Sequence, residues 1–126
     1  FFEGFTPEEL ARVADLADEV EAEAGAELMD QGRPGLECYV ILDGTAGVYF
    51  GGEHIATLEA GSMVGEMALI DHRPRSATVV AESPMRLLAF DTRHFRSLLD
   101  ELPKASQRVM SLLNARAQEN AARNDT

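Results

Sequence analysis

"ECYVILDGTAGVYFGGEHIATL", from Glu37 to Leu58, decides the fold class. Its apolar and alternating runs are short, and Asp43-Gly44 and Gly51-Gly52 cut them into three strand-length pieces. The second cut is a hairpin signal, because paired glycines supply the positive φ that a tight turn between twisted strands needs. The same texture continues on either side. Upstream, Val20 and Ala22 alternate with acids before Gly25, and Glu27–Met29 precedes the turn signal "DQGRPG" at 30–35. Downstream, "ATVVAES" and "MRLLAFD" add two strands around Ser83-Pro84. Seven or so short strands at this spacing predict a sandwich or a jelly-roll barrel over residues 18–90.

Helices are expected at both ends. Thr6 is placed as an N-cap, Pro7 at the first helical position and Glu9 three residues after the cap, so a capping box opens a helix from about Pro7 to about Leu16 within residues 1–17. From Thr92 the pattern is helical again. Phe95, Leu98 and Leu99 share a face behind a Thr or Asp cap, and Pro103 divides this helix from a second one reaching about Ala122. Ala105, Val109, Leu112 and Leu113 recur near helical spacing on that last helix. No repeat or linker divides the chain, so residues 1–126 read as one domain, with closing helices over 91–122.

Charge narrows the function. Twenty-two acids against eleven bases give a formal net charge of −11. That balance lacks the basic footprint that nucleic-acid phosphates require, so direct nucleic-acid contact is not expected. No apolar run reaches the length of about 18 residues that marks a membrane span. The single cysteine, Cys38, has no internal disulfide partner and fits a reducing compartment, so a cytoplasmic location is expected. The chain opens at Phe1 without a methionine, as a trimmed or excised piece would.

Several chemistries are weakened by what is missing. His54, His72 and His94 lack the paired spacing of a zinc site, which argues against a cupin-like metal enzyme. Ser76, His72 and Asp71 crowd one short segment without a nucleophile elbow, so hydrolysis is disfavoured. Cys38, inside an apolar strand, reads as a small core residue. No catalytic activity is expected.

"GSMVGEMALIDHRPRSATV", from Gly61 to Val79, carries the positive signal. Gly65 permits close backbone approach, and "EMALI" can form a short helical turn whose first N–H groups point at an anion. Arg75 adds a planar fork that engages two phosphate oxygens at once. Ser76 and Ala77 leave room beside it. Glu66 would repel phosphate but suits a sugar hydroxyl, so the group reads as a pocket for a ligand with one negative charge and a ribose. The competing reading makes Gly65-Glu66 a turn and Arg75 a surface charge paired with Glu66 or Asp71.

The segment resembles the phosphate-binding cassette of cyclic nucleotide-binding domains, with Gly65, Glu66, Ala68, Leu69, Arg75, Ser76, Ala77 and Val79 in the family's order. "VILDGTAGVYF", with Gly44 and Gly47 shaping a turn, is a second signature. The resemblance covers nearly the whole chain and places the cassette at 64–79. It implies a mainly β fold, an eight-stranded jelly-roll-like β-barrel flanked by an N-terminal helix and two C-terminal helices. It also implies that Glu66 bonds the ribose 2′-hydroxyl and Arg75 the cyclic phosphate. By the same resemblance, backbone groups of Gly65, Met67 or Ala68 would complete the cradle with Ser76 and Ala77, and Val64 and Ile41 would pack against sugar or base.

Purine recognition in such domains comes from the last helix, which points to Asn120 with Arg116 one turn earlier; a plain solvated helix face is the alternative for both. The ligand implied is cyclic AMP, with cyclic GMP the alternative because Ser76 occurs in both branches. The expected mechanism draws the cassette inward and closes the last helix about a hinge near Pro103, with Met67, Leu69 and Ile70 packing on the closing helices. A homodimer through the C-terminal helix is the expected assembly, and a non-binding barrel used only for assembly is the alternative function. Arg73 has no role in the cassette and is expected in solvent.

Overall fold

A computed structural model describes residues 1–33, 35–66, 69, 74, 75 and 77–124, with side chains described through residue 115. The first helix, α1, spans Pro7–Leu16. Its start is the expected capping box: Glu9 N–H donates to Thr6 Oγ1 at 3.1 Å, and Thr6 N–H donates to Glu9 Oε1 at 2.8 Å. Among the described residues eight strands follow: β1 (Asp18–Ala22), β2 (Glu27–Met29), β3 (Glu37–Asp43), β4 (Ala46–Phe50), β5 (Glu53–Leu58), β6 (Met63–Val64), β7 (Thr78–Ala81) and β8 (Met85–Asp91). Two helices, α2 (Thr92–Glu101) and α3 (Pro103–Asn124), close the described chain. β6 is the strand that periodicity missed, because two residues carry no measurable alternation.

All pairings are antiparallel and fall in two four-stranded sheets, β1-β8-β3-β6 and β2-β7-β4-β5. The expected barrel is represented by these two sheets, and among the described residues no ladder joins one to the other. The chain crosses between sheets at Gly44, whose φ of 95° and tight approach to Pro84 O leave no room for a Cβ. Gly47, expected in that turn, lies inside β4 instead. A Cβ there would stand 2.7 Å from Glu82 Oε1, the movable end of a partly exposed side chain.

Strand alternation sorts the core into two layers. On β3 and β8, Cys38, Val40 and Phe90 face the helices and pack with Leu16, Phe95, Leu98, Leu102, Ala105 and Val109. Their neighbours Ile41, Met85 and Leu87 face the other sheet and meet Ala46, Val79 and Ala81. Basic side chains stitch the ends of the chain together. Arg12 donates to both oxygens of Glu101 at 2.9 Å. Lys104 reaches Glu9 at 2.8 Å, and Arg108 donates to the carbonyls of Phe1 and Glu3. Among the described residues no helix is long and apolar enough to cross a membrane.

Candidate functional site

Arg75 is fixed before its side chain does anything. Its N–H donates to Arg33 O at 2.8 Å and its carbonyl accepts from Gly32 N–H at 2.9 Å. Gln31 N–H donates to Thr78 Oγ1 at 3.0 Å, so the approach to β7 is held against the turn after β2. The side chain is 7% exposed, which removes the reading of Arg75 as a surface charge. Nη1 donates to Gly65 O at 2.9 Å and Nη2 donates to Glu37 O.

Gly65 makes that approach possible. Its φ of 87° is the left-handed region that side chains avoid, and a Cβ would overlap Arg75 Nη1 and crowd Met29 Sδ at 3.0 Å. Val64, the last residue of β6, is 1% exposed and sits opposite Tyr39 of β3. Glu66 follows Gly65 on helical backbone and is fully buried. Ala77, 8% exposed, continues from Arg75 toward β7. Leu69 packs in the helical layer with Phe95, Leu98 and Val109.

The electrostatics follow from burial. Desolvation pulls the Arg75 pKa down, and the nearby Tyr39, Cys38, Glu66 and Glu37 oppose that shift. The guanidinium stays protonated at neutral pH because its ordinary pKa lies far above 7. Burial pushes the Cys38 thiol up, and the Glu66 charge pushes it further. Cys38 is therefore an inert core thiol. The Tyr39 phenol is also raised, first by burial and then by Glu37. The arrangement is one cation sunk among carbonyls, a phenol and acids, at the end of the sandwich. Chemically it suits a single compact anion carrying hydroxyls.

Five predicted positions, Val64, Gly65, Glu66, Arg75 and Ala77, thus fall in one corner of the fold. Met67, Ala68, Ser76, Ile70 and Arg73 lie outside the described residues, as do Asp71 and His72. Arg116 and Asn120 fall on α3, with their side chains outside the described residues. Ile41 is buried between the sheets. Sequence reading missed Glu37 and Met29. Glu37 acts through its backbone carbonyl, which leaves no trace in residue type. The two described histidines are occupied elsewhere: His94 Nδ1 lies 2.8 Å from the Asp91 cap, and His54 Nε2 lies 3.7 Å from Glu82. Among the described residues no group of His, Cys, Asp and Glu could hold a metal ion.

The chain is similar in sequence and fold to known proteins. The family described as "Cyclic nucleotide-binding domain" matches residues 19–101. The cAMP-dependent protein kinase type II regulatory subunit of Drosophila melanogaster is 36% identical over 98 residues, covering 78% of this chain and 26% of that protein. The crystal structure of the Thermus thermophilus catabolite activator protein superposes with a TM-score of 0.85 at 29% identity, over 98% of this chain and 61% of that one. A cyclic nucleotide-binding domain from Methylobacillus flagellatus gives a TM-score of 0.78 at 30% identity, over 98% of this chain and 74% of that one. The chain therefore spans about a quarter of the length of its curated relatives.

Proposed function

The chain belongs to the cyclic nucleotide-binding domain family, and from that premise we propose that it is a single sensor unit whose ligand is cyclic AMP. The observation that carries the reading is the buried Arg75 guanidinium, forked against Gly65 O and Glu37 O beside the fully buried Glu66. Among the described residues these two carbonyls are its hydrogen-bond partners, while a guanidinium has five donors, so donors remain for a phosphate. A cyclic phosphodiester brings one negative charge. It neutralises Arg75 and places its ribose 2′-hydroxyl where the Glu66 carboxylate accepts it.

In this reading the backbone groups of Gly65, Met67 and Ala68, with Ser76 and Ala77, cradle the phosphate. Val64 bounds the sugar and Asn120 meets the adenine edge, where an amide donates and accepts together. Cyclic AMP is preferred to cyclic GMP because the 36% identical relative from Drosophila melanogaster is a regulatory subunit of a cAMP-dependent protein kinase. Leu69 links the cassette to Phe95, Leu98 and Val109, so a cassette drawn inward by ligand repacks α2 and α3 about Pro103. The ligand shifts that equilibrium by its differential affinity for the closed state. Met110, 56% exposed on α3, supports a homodimer through this helix.

Calorimetric titration with cyclic AMP and cyclic GMP tests the proposal. Saturable heat with cyclic AMP, and weaker binding of cyclic GMP, are expected. No heat with either at millimolar ligand would sink it. Sedimentation with and without nucleotide reads the assembly, and a chain that stays monomeric in both removes the dimer.

A further inference from the structure

A cavity of about 390 Å³ opens between the two sheets on the β1 and β2 side of the sandwich. It lies within the size range of small-molecule pockets. Its floor is Leu87 and Ala89 of β8, 1% and 3% exposed, and its walls include Val20, Leu28 and Tyr39, all half-buried. None of Val64, Gly65, Glu66, Arg75 and Ala77 lines it. The two sites adjoin at Glu37 and Tyr39, which act on Arg75 and also line the cavity. Glu37 holds Arg75 by its carbonyl and also lines the cavity, on the same face of β3 as Tyr39.

The lining has one sign of charge. Glu37 stands beside the Tyr39 phenol, Glu21 and Glu23 belong to the β1 side, and no Lys or Arg lines the cavity among the described residues. An apolar floor with a carboxylate and an aromatic ring on one wall suits a cation that carries a ring, since a cation gains from both the acid and the face of a phenol. We propose that this cavity is a second small-molecule site, which takes a compact apolar amine with its ring on Leu28, Leu87 and Ala89 and its ammonium toward Glu37. The site goes beyond nucleotide sensing and does not depend on it.

The test is a methyl NMR titration of the whole chain with 2-naphthylmethylamine, run without nucleotide. Two probes with the same ring, neutral 2-naphthylmethanol and anionic 2-naphthoate, serve as controls. Saturable shifts at the Leu28 and Leu87 methyls are expected with a dissociation constant below about 1 mM, and at least about fivefold weaker binding of both controls. Glu37→Gln should weaken the amine by about fivefold and leave the alcohol unchanged, because the carbonyl that holds Arg75 is retained. Leu28→Trp, at a half-buried wall, should block all three probes. Absence of saturable shifts, equal affinity for the three probes, or unchanged amine binding in Glu37→Gln would overturn the proposal. So would displacement of the amine by cyclic AMP, which would make the cavity part of the Arg75 site. A null nucleotide titration leaves this outcome untouched, so the two readings fail separately.

Discussion

The two faces of the β1-β8-β3-β6 sheet are built for different work. The helix-side face carries Cys38, Val40 and Phe90 against α1, α2 and α3, and its members are apolar and almost completely enclosed. The face toward the other sheet carries Ile41, Met85 and Leu87, but Tyr39, Val20, Leu28 and Met29 around them are only half-buried. That side keeps a cavity and a buried arginine. One sheet therefore anchors the fold with one face and offers binding room with the other. Residues one position apart in sequence should then differ in kind, one set by stability and the next by ligand.

The largest expected effect breaks the closed face. Phe90→Ala removes a fully buried ring from among Leu16, Phe95 and Leu98 and should cost about 3–5 kcal/mol of stability. Denaturant melts with an unchanged slope would read it. Ile41→Val, on the opposite face, should cost only about 0.5–1.5 kcal/mol. Equal losses at the two sites would end the contrast.

Arg75→Ala comes next and should act on binding. Charge-assisted hydrogen bonds are worth about 1.5–3 kcal/mol each, so cyclic AMP affinity should fall by about 100-fold or more. Arg75→Lys should recover only part of this, because an ammonium restores charge without the planar fork. Calorimetry on folded variants decides it, and an affinity within about threefold of the parent chain would remove Arg75 from the site. Gly65→Ala sharpens the same point from the backbone side. The strained φ costs about 1–3 kcal/mol, and the new methyl group pushes against Arg75 Nη1. Both stability and affinity should drop, whereas Gly52→Ala, with open space around its Cβ, should leave affinity unchanged.

Legibility in the sequence tracked how local each cause is. The α1 capping box, the Asp91 cap of α2 and the Gly51-Gly52 turn depend on residues within a few positions, and all stand where they were expected. Gly65 and Arg75 were legible as a pair because each supplies a property no other residue type supplies. The two-sheet partition was not legible, since β3 and β4 are consecutive in sequence yet lie in different sheets, and only long-range pairing decides that. Glu37 was invisible for a different reason, as its contribution is a carbonyl that every residue has. The cavity was invisible too, because empty volume depends on how far two sheets stand apart.

The smallest effect tests whether acid loosens the helical side first. Three acids there have pKa values held below their ordinary ones. Asp91, ordinarily 3.8, is lowered chiefly by the His94 N–H it caps and then by the His94 ring. Glu9, ordinarily 4.5, is lowered chiefly by Lys104, and Glu101, also 4.5, by Arg12. A carboxyl whose folded pKa is depressed stabilises the fold above its unfolded pKa and loses that contribution as pH falls through the folded value. Stability should thus decline as pH drops below 4.5 and continue to decline below 3.8. Asp91→Asn separates the cap from the charge. Asn caps as well as Asp, so stability at neutral pH should change little, but the part of the acid slope that Asp91 supplies should vanish. Thermal melts from pH 7 down to about 3 would show the two curves together near neutrality and separating in acid, where the parent chain falls further than the variant. If they stay parallel throughout, Asp91 holds α2 through its hydrogen bonds alone, and the acid sensitivity of the helical side rests on the Lys104 and Arg12 pairs.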